Sequence, residues 1–522
     1  MKKPLLTHPF LFALFPILSL YSHNVAELSL PQLVMPIIVT CFTVEILWSS
    51  LRALFEDECK TGMIVSLLAL LFFSHGHFAH AVENLNIKPF YLLLMEGIVF
   101  LAITIIIIPI RKDLRNISSV LNIISSFLVV ISLANITTHE IKSKASLNPR
   151  DIISRNFLLP PKSYVKETNH PDIYYIIFDR YPSASTLKEH FQFDNKDLIN
   201  FLTQKGFYVA ENSFMNYPTT FLSLASSLNM NYLTPMLDHV KGSTDRSHAY
   251  RLLQNYTAEL FLKSQGYRLI HLGSWYNPTK QDTAAELNLY YHYSVLDDFS
   301  SMLIENSLFF PLMKFITKLD SDKQFASPLR QRHIENINYQ FRELRNLPQT
   351  KGPKFVFAHI LLPHYPYIYD PDGKVLNEEI TKKTSLDKNF INQLIYTNKK
   401  IKWLVNQILS DSEHPPIIII QGDEGPLDLI MEVVKGGDNY EWRTLSSSLL
   451  KKYMRILNAY YLPDIDKRSQ LYPSITPVNS FRLIFNLYFN TNYPLLKDEI
   501  YIIESLKFIY RFYNVTNKLT AE

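Results

Sequence analysis

The sequence predicts a five-helix transmembrane bundle followed by a large α/β domain with a largely parallel central sheet. Five apolar stretches lie before residue 140, and short β-branched and aromatic runs alternate with helical patterns after residue 170. At 522 residues the chain is long enough for both parts. The predicted boundaries are 1–138 for the transmembrane domain, 139–168 for a juxtamembrane linker and 169–522 for the α/β domain.

Apolar segments of about 20 residues cross a bilayer as helices, because lipid offers the backbone no hydrogen-bond partner. The first stretch is short and follows Lys2 and Lys3, so a cleaved signal peptide is the alternative to a retained helix. The third extends into HGHFAH (75–80), where a metal site is the alternative to a polar helix end. The five predicted spans are 9–22, 31–50, 62–75, 89–110 and 118–136.

The distribution of Lys and Arg in the short loops predicts the orientation. Loops one and three contain only Lys88. This asymmetry places the N-terminus in the cytoplasm and, after five crossings, the α/β domain outside it. The linker is basic and contains three prolines, which is typical of a surface segment leaving the membrane. The N-terminus and loops two and four lie on the opposite side from loops one and three, and they contain seven basic residues: Lys2, Lys3, Arg52, Lys60, Arg111, Lys112 and Arg115.

Composition excludes several function classes. The formal net charge is +4, from 52 basic and 48 acidic residues, which implies no nucleic-acid partner. The two cysteines, Cys41 and Cys59, both lie in the transmembrane half. The α/β domain therefore has no disulfide, no thiolate metal site and no cysteine nucleophile.

Continuous apolar runs in the second half are typical of strands buried on both faces of a sheet. Intervening helical patterns at 186–204, 246–265 and 389–409 favour an α/β fold with parallel strands. The predicted strands are 172–179, 206–213, 267–274, 354–364 and 416–425.

Polar residues follow three of these strands. Asp179 ends the first, His359 and His364 lie near the end of the fourth, and Asp423 and Glu424 end the fifth. Ligands of open α/β sheets bind beyond the carboxyl ends of the strands. An acid in such a position is often only a cap or turn residue. Three strand ends that deliver acids and imidazoles together favour a divalent-metal site.

The segment 216–233 (NYPTTFLSLASSLNMNYL) has helical apolar spacing after Thr219 and Thr220. A threonine at a helix N-terminus is commonly an ordinary N-cap. The same position suits a nucleophile, because free N–H groups favour a phosphate and a metal lowers the pKa of the hydroxyl.

With these residues the sequence resembles the sulfatase-like branch of the alkaline phosphatase superfamily. Its layout is similar to that of lipoteichoic acid synthases and lipid A phosphoethanolamine transferases, which have five membrane helices and an extracytoplasmic catalytic domain. The resemblance implies an alkaline-phosphatase-like fold from about 171 to 490. It also implies an integral protein of the plasma (inner) membrane.

The resemblance also implies roles for single residues. Asp179 of IIFDRY matches the first metal-binding acid, and Asp423 matches the Asp of the Asp-His-Gly metal motif. Thr220 matches the nucleophile, which is also a metal ligand, with Thr219 as the alternative. His364 of HILLPHYPY resembles the histidine that contacts the substrate phosphate.

One departure is Glu424, which stands where the family usually has histidine. A glutamate still ligates a divalent cation, and it favours Mn²⁺ or Mg²⁺ over Zn²⁺, with Ca²⁺ as a further alternative. The change is equally consistent with a weakened site. The expected metal ligands are thus Asp179, Thr220, Asp423 and Glu424.

The function implied is a metal-dependent transfer of a phospholipid head group, of phosphoglycerol or phosphoethanolamine type, to an envelope glycan or lipid. A membrane lipid is then the donor. The alternatives are a sulfatase-like hydrolase or phosphodiesterase, and a catalytically weakened envelope-assembly protein. A formylglycine sulfatase is disfavoured, since the domain lacks cysteine and Ser223 and Ser226 lack the usual flanking Pro and Arg.

Overall fold

The computed structural model describes residues 6–25, 28–82, 87, 89–145, 170–291, 297–318 and 328–520. The chain forms two compact units. The first contains residues 1–145 and 292–332, and the second contains residues 146–291 and 333–522. The predicted boundaries put 292–332 in the α/β domain, whereas the structure groups these residues with the N-terminal helices. Of the predicted linker, 139–145 continue the last of those helices and 146–168 lie outside the described residues.

The first unit is built from five N-terminal helices at the five predicted stretches. Among the described residues, four segments are long and apolar enough to cross a membrane: Leu30–Phe55, Glu58–Ala81, Phe90–Ile107 and Arg115–Ile141. The first helix has 16 residues, which rise about 24 Å against a hydrocarbon core of about 30 Å. Four of the five predicted spans are therefore confirmed as candidates. The helices are α1 (His8–His23), α2 (Val34–Phe55), α3 (Glu58–Ala81), α4 (Pro89–Ile107) and α5 (Arg115–Ala145), joined by α12 (Asp298–Glu305) and α13 (Phe309–Lys318) from the later segment.

Helix α3 begins after Asp57, whose carboxylate accepts hydrogen bonds from the N–H groups of Cys59 and Lys60 at 2.9 and 3.1 Å. Toward its other end, His75 Nδ1 lies 3.0 Å from the Glu96 carboxylate on α4, and both side chains are buried. The first histidine of the HGHFAH motif is therefore a contact between two helices. Among the described residues, no group of metal-ligating side chains includes this motif.

The second unit contains a mixed sheet of seven strands and a separate two-stranded sheet. The strands are β1 (Ile173–Phe178), β2 (Tyr208–Val209), β3 (Arg268–Leu272), β4 (Leu287–Leu289), β5 (Lys354–Ile360), β6 (Ile417–Gln421), β7 (Asn458–Tyr461), β8 (Tyr501–Ile503) and β9 (Phe512–Asn514). The large sheet has the order β2-β7-β6-β1-β5-β3-β4. Strands β6, β1, β5, β3 and β4 are parallel to one another, β7 pairs antiparallel with β6, and β2 pairs antiparallel with β7. The predicted α/β architecture with a largely parallel sheet is confirmed.

Helices cover both faces of the sheet, and an apolar core fills each side. The buried side chains of α8 and α20 pack on one face, and those of α14 and α16 pack on the other. The helices of this part of the chain are α6 (Ala184–Phe191), α7 (Lys196–Gln204), α8 (Thr220–Leu228), α9 (Thr234–Leu237), α10 (Ser247–Tyr250), α11 (Thr257–Ser264), α14 (Pro328–Asn346), α15 (Glu378–Lys383), α16 (Leu386–Asp411), α17 (Met431–Gly436), α18 (Ser447–Met454), α19 (Ile465–Arg468), α20 (Pro477–Tyr488) and α21 (Thr516–Thr520).

The predicted strand 206–213 shrinks to the two residues of β2 at the edge of the sheet. The predicted helix 186–204 is two helices, because Gln192 adopts a left-handed conformation with φ of 54° and ends α6. Strands β1, β3, β5 and β6 lie within the predicted runs. Strands β1, β3, β5 and β6 were thus predictable, whereas β4 and β7 were not.

Candidate metal and nucleophile site

The pairing register of the central parallel strands aligns their carboxyl ends at the same edge of the sheet. Ile177 of β1 pairs with His359 of β5 on one side and with Gln421 of β6 on the other. Asp179 lies two residues beyond Ile177, and Asp423 lies two residues beyond Gln421. Parallel pairing therefore places the acids of two neighbouring strands next to each other and beside an imidazole.

Asp179, His359 and Asp423 form a fully buried group. His359 Nε2 lies 3.1 Å from Asp179 Oδ2 and 3.7 Å from Asp423 Oδ2. The other ring nitrogen, Nδ1, lies 2.7 Å from the hydroxyl of Thr279. One potential ligand atom from each of the three residues lies within 4.8 Å of the others. The arrangement can hold one cation between two carboxylates and an imidazole.

Thr220 is the first residue of α8 and is buried at the site. Its side chain lies next to the Asp423 carboxylate and lowers the pKa of that acid. Thr219 is the N-cap residue, and its buried Oγ1 has no hydrogen-bond partner within the described chain. Of the two threonines, Thr220 is the one that contacts an acid of the group.

The glycines on either side of Asp423 and Glu424 permit close backbone approach. A Cβ on Gly422 would lie 2.2 Å from the carbonyl oxygen of Tyr181, and one on Gly425 would lie 2.2 Å from that of Tyr453. Any side chain there would push the acids away from the strand end. The GDEG pattern is therefore required by packing at the site.

Glu424 forms an ion pair with the side chain of Arg180. Its Oε1 lies 2.7 Å from Nε of Arg180, and both side chains are largely buried. Arg180 has a left-handed backbone with φ of 63°, and its N–H donates to Asp423 Oδ1 at 3.2 Å. Tyr453 OH lies 3.5 Å from Glu424 Oε2 and donates to the carbonyl of Pro218 at 3.0 Å. Glu424 is thus near the acids but already neutralised.

His364 is half-buried and joins Asp179 and Glu424 in a second group whose ligand atoms lie within 4.8 Å. Its Nδ1 contacts the carbonyl oxygen of Tyr365. Because a carbonyl only accepts, Nδ1 carries the hydrogen and Nε2 presents a lone pair. Burial lowers the pKa of His364 well below its usual value, and Arg180 lowers it further.

The electrostatics of these residues fit a divalent cation. Burial raises the pKa of Asp179 well above its usual value, with repulsion from Glu424 adding to the shift. Burial and the neighbouring Asp179 likewise raise the pKa of Asp423. Asp179 Oδ1 and Asp423 Oδ2 are buried without a hydrogen-bond partner in the described part of the chain. Such oxygens are costly unless a proton or a metal neutralises them.

A separate group contains His190, Asp387 and Asp428. His190 Nε2 lies 2.8 Å from Asp428 Oδ2, while Asp387 is exposed. The histidine–aspartate hydrogen bond accounts for this contact without a metal.

The sequence reasoning assigned no role to His359, Arg180 or Thr279. His359 stood out as a strand-end histidine, but its contact with both acids depends on strand register. Thr279 ends a short 3-10 helix (Asn277–Thr279) outside every predicted element, and nothing in the sequence predicts that Arg180 pairs with Glu424.

No protein-family model and no curated protein matches the sequence. Among solved structures, the C-terminal periplasmic domain of EptC from Escherichia coli matches at 14% identity and a TM-score of 0.39, covering 64% of this chain and 90% of that one. The integral membrane lipooligosaccharide phosphoethanolamine transferase A (EptA) from Neisseria meningitidis matches at 12% identity and a TM-score of 0.36, covering 92% and 95%. A protein in the alkaline phosphatase superfamily from Vibrio parahaemolyticus matches at 11% identity and a TM-score of 0.36, covering 68% and 82%.

These structures come from the groups of proteins that the sequence motifs resemble. The likeness is too distant to carry an argument about activity. The case for function therefore depends on the residues of the site.

Proposed function

We propose that this protein is a membrane-bound, metal-dependent transferase that moves a phospholipid head group to an envelope glycan or lipid through Thr220. The observation that carries the proposal is the position of Thr220, at the start of a buried helix and next to Asp423 in a group of buried acids. A nucleophile at a helix N-terminus can present its product phosphate to free N–H groups.

Asp179, Asp423 and Thr220 would hold the cation, with His359 as an additional nitrogen ligand. When bound, the cation lowers the pKa of the threonine hydroxyl and offsets the charge of the phosphate. Glu424 joins the ligands only if it leaves Arg180. We expect Mn²⁺ or Mg²⁺ for an oxygen-rich set, although the imidazole of His359 makes Zn²⁺ more competitive than the sequence suggests.

In the first half-reaction, Thr220 Oγ1 forms a bond to phosphorus, and the bond from phosphorus to the diacylglycerol oxygen breaks. The hydroxyl proton of Thr220 passes to the neighbouring Asp423 carboxylate. The leaving oxygen takes a proton from His364, which regains one from the acceptor hydroxyl in the second half-reaction, and departs as diacylglycerol. In the second half-reaction an acceptor hydroxyl displaces Thr220 from phosphorus.

The lone pair on Nε2 of His364 suits removal of the proton from the acceptor hydroxyl. By the reverse path, the protonated ring donates to the leaving diacylglycerol oxygen. The Nδ1 contact to the Tyr365 carbonyl fixes the ring for both roles.

The proposal places the N-terminus in the cytoplasm and the second unit outside it, with α1 as a fifth crossing. The seven basic residues on one side of the predicted bundle support this orientation. The donor would then lie in the outer leaflet of the plasma (inner) membrane. A phosphodiesterase that gives the same phosphothreonine to water is the alternative within this chemistry.

The ion pair between Arg180 and Glu424 favours a second candidate, a catalytically weakened envelope-assembly protein of the same fold. There the arginine would supply the positive charge that a metal supplies in an enzyme. One buried oxygen each of Asp179 and Asp423 has no hydrogen bond among the described residues, which weighs against it, because one guanidinium does not satisfy all three acids.

The test is turnover of a fluorescent phospholipid by the full-length protein, with metal content measured on the same samples. Thr220→Ala should abolish turnover and any phosphothreonine, whereas Thr219→Ala is the matched control and should retain both. Absence of bound metal and of turnover in the parent at millimolar Mn²⁺ would support the assembly protein. Retained turnover in Thr220→Ala would remove Thr220 as the nucleophile.

A further inference from the structure

Helices α12 and α13 come from the middle of the second half of the sequence, yet they pack with the N-terminal helices. The chain leaves the second unit at residue 291 and returns to it at residue 333. Helix α12 contacts α1, and α13 contacts α4. Helices α12 and α13 therefore belong to the first unit.

Helix α12 is anchored in the apolar core of the bundle. Phe299 is fully buried in a cluster that includes Ile17 and Tyr21 of α1 and Val129 of α5. The rings of Phe299 and Tyr21 meet edge to face, with centroids 5.7 Å apart. Leu303, one turn later, belongs to the same cluster.

The junction between α12 and α13 bonds to the backbone of α3. Gly76 N–H donates to the carbonyl of Asn306 at 2.9 Å, and Leu308 N–H donates to the carbonyl of Phe72 at 2.9 Å. The two groups of α3 are those that a regular helix would pair with each other. A Cβ on Gly76 would lie 2.7 Å from the Asn306 side chain and 2.9 Å from its backbone, so only glycine permits this approach.

These contacts fix the depth of the junction. Gly76 and Phe72 lie five and nine residues before the end of α3 at Ala81, which is about 7 and 13 Å along the helix axis. Helix α3 is a candidate membrane span. The junction therefore lies alongside α3, within the length of this candidate span.

The outward face of α13 is apolar. Four of its side chains are between 43% and 55% exposed. Phe315 also stacks on Phe90 at the start of α4, with centroids 5.9 Å apart. The face continues into the exposed apolar residues Tyr91, Leu94 and Met95 of that candidate span. The four exposed apolar side chains of α13 are Phe309, Leu312, Phe315 and Ile316.

We propose that α12 and α13 lie within the membrane and that this face of α13 contacts lipid at the interface where α3 ends and α4 begins. Ten residues rise about 15 Å, so α13 cannot cross the bilayer and suits an in-plane position. If α3, α4 and α5 each cross, this is also the side on which the chain leaves α5 for the second unit. The proposal is independent of the chemistry proposed for Thr220.

The test places a nitroxide spin label at Leu312→Cys in full-length protein with Cys41 and Cys59 replaced by serine. The protein is reconstituted in phosphatidylcholine–phosphatidylglycerol vesicles, and collisions with oxygen and with a water-soluble nickel chelate are compared. We expect the ratio of oxygen to nickel accessibility to be several-fold higher than at Lys382→Cys, an exposed position in the second unit. Equal ratios at the two positions would overturn the proposal.

Gly76→Ala supplies the matched variant, with Gly97→Ala as its control. A Cβ on Gly97, in the neighbouring helix α4, meets nothing within 4 Å. Gly76→Ala should lower the accessibility ratio at position 312 several-fold, whereas Gly97→Ala should leave it unchanged. Efficient cross-linking of position 312 between two copies would show a protein interface instead and would also overturn the proposal. If Gly76→Ala does not fold, the comparison of positions 312 and 382 still decides.

Discussion

The two groups of ligating side chains at the site share Asp179 but balance its charge differently. In one, Asp179 and Asp423 face His359, and each acid keeps a buried oxygen without a hydrogen bond in the described residues. In the other, Glu424 faces His364 but is paired with Arg180 at 2.7 Å. The first group requires a proton or a cation to offset its charge, whereas the second has the guanidinium of Arg180.

This difference gives the Glu424 departure a physical meaning. A histidine after Asp423 would offer a neutral ligand, but a glutamate adds a third negative charge to a buried site. Arg180 compensates that charge, and its strained backbone places the guanidinium there. A metal bound between Asp179 and Asp423 is compatible with an intact ion pair beside it.

The largest effect should come from Asp423→Asn, which removes one carboxylate of the first group. The amide keeps the shape but loses the charge that neutralises a cation, so metal content should fall to background. Turnover should drop roughly 10²–10³-fold. Asp372→Asn, at an exposed position, is the control and should match the parent. Full metal content in Asp423→Asn would show that the first group is not the metal site.

A smaller effect should follow from breaking the ion pair from either side. Arg180→Met frees Glu424 to act as a ligand, and we expect Mn²⁺ affinity to rise roughly 10-fold. Glu424→Gln leaves a buried arginine without its partner and should lower the free energy of unfolding by about 3 kcal/mol. Titration calorimetry and thermal unfolding measure these two quantities.

Glu424→His further sharpens the comparison between the two groups. It should shift the metal preference toward Zn²⁺ if position 424 reaches the cation. Unchanged Mn²⁺ affinity in Arg180→Met, together with unchanged metal preference in Glu424→His, would make the ion pair purely structural.

Thr279→Val should have an intermediate effect through His359. The variant removes the hydroxyl at 2.7 Å from Nδ1 and leaves that buried nitrogen unpaired, so the ring is oriented less well. Metal affinity should fall about 10-fold, as for other residues that orient a ligand. Thr186→Val removes a buried hydroxyl that donates to the Lys452 carbonyl, and it should affect stability alone. Equal metal affinity in both variants would exclude a positioning role for Thr279.

The smallest effect concerns Glu259, a buried acid of α11 that lies outside both groups. Burial raises the pKa of Glu259 from 4.5 to about 11, and the nearby Asp282 adds to the shift. The folded protein thus binds a proton that the unfolded chain releases above pH 4.5. The contribution of Glu259 to stability is therefore complete below that pH and is lost progressively as the pH rises.

Glu259→Gln removes this dependence. The variant should gain about 1–3 kcal/mol over the parent between pH 6 and pH 9, with the difference growing as the pH rises. Thermal unfolding at several pH values measures it, and Glu413→Gln at an exposed position is the control. Parallel curves for parent and Glu259→Gln would show that Glu259 does not bind the proton.

Central strands and strand-end acids were predictable because both depend on local sequence. A run such as IYYIIF or IIIIQ can only be buried, and the residue after it must lie at the edge of the sheet. The short strands β4 and β7 were not predictable, since three or four residues carry no clear pattern.

The residues of the candidate site also divide into those that local sequence predicts and those that depend on tertiary contacts. Asp179, Asp423 and Thr220 follow from their positions at the ends and starts of elements, and the structure brings them together. Arg180 opposite Glu424 depends on a left-handed backbone at a non-glycine residue, which sequence patterns do not indicate. Placement of 297–318 with the bundle depends on a glycine contact between segments more than 200 residues apart.

The excursion of the chain through α12 and α13 sets a condition for producing the second unit as a soluble fragment. A truncation that begins after α5 would still carry Phe299, which is buried only against N-terminal helices, and the exposed apolar face of α13. Such a fragment would expose both surfaces to water and would self-associate. A useful expression clone should therefore also replace residues 292–332 with a short flexible linker.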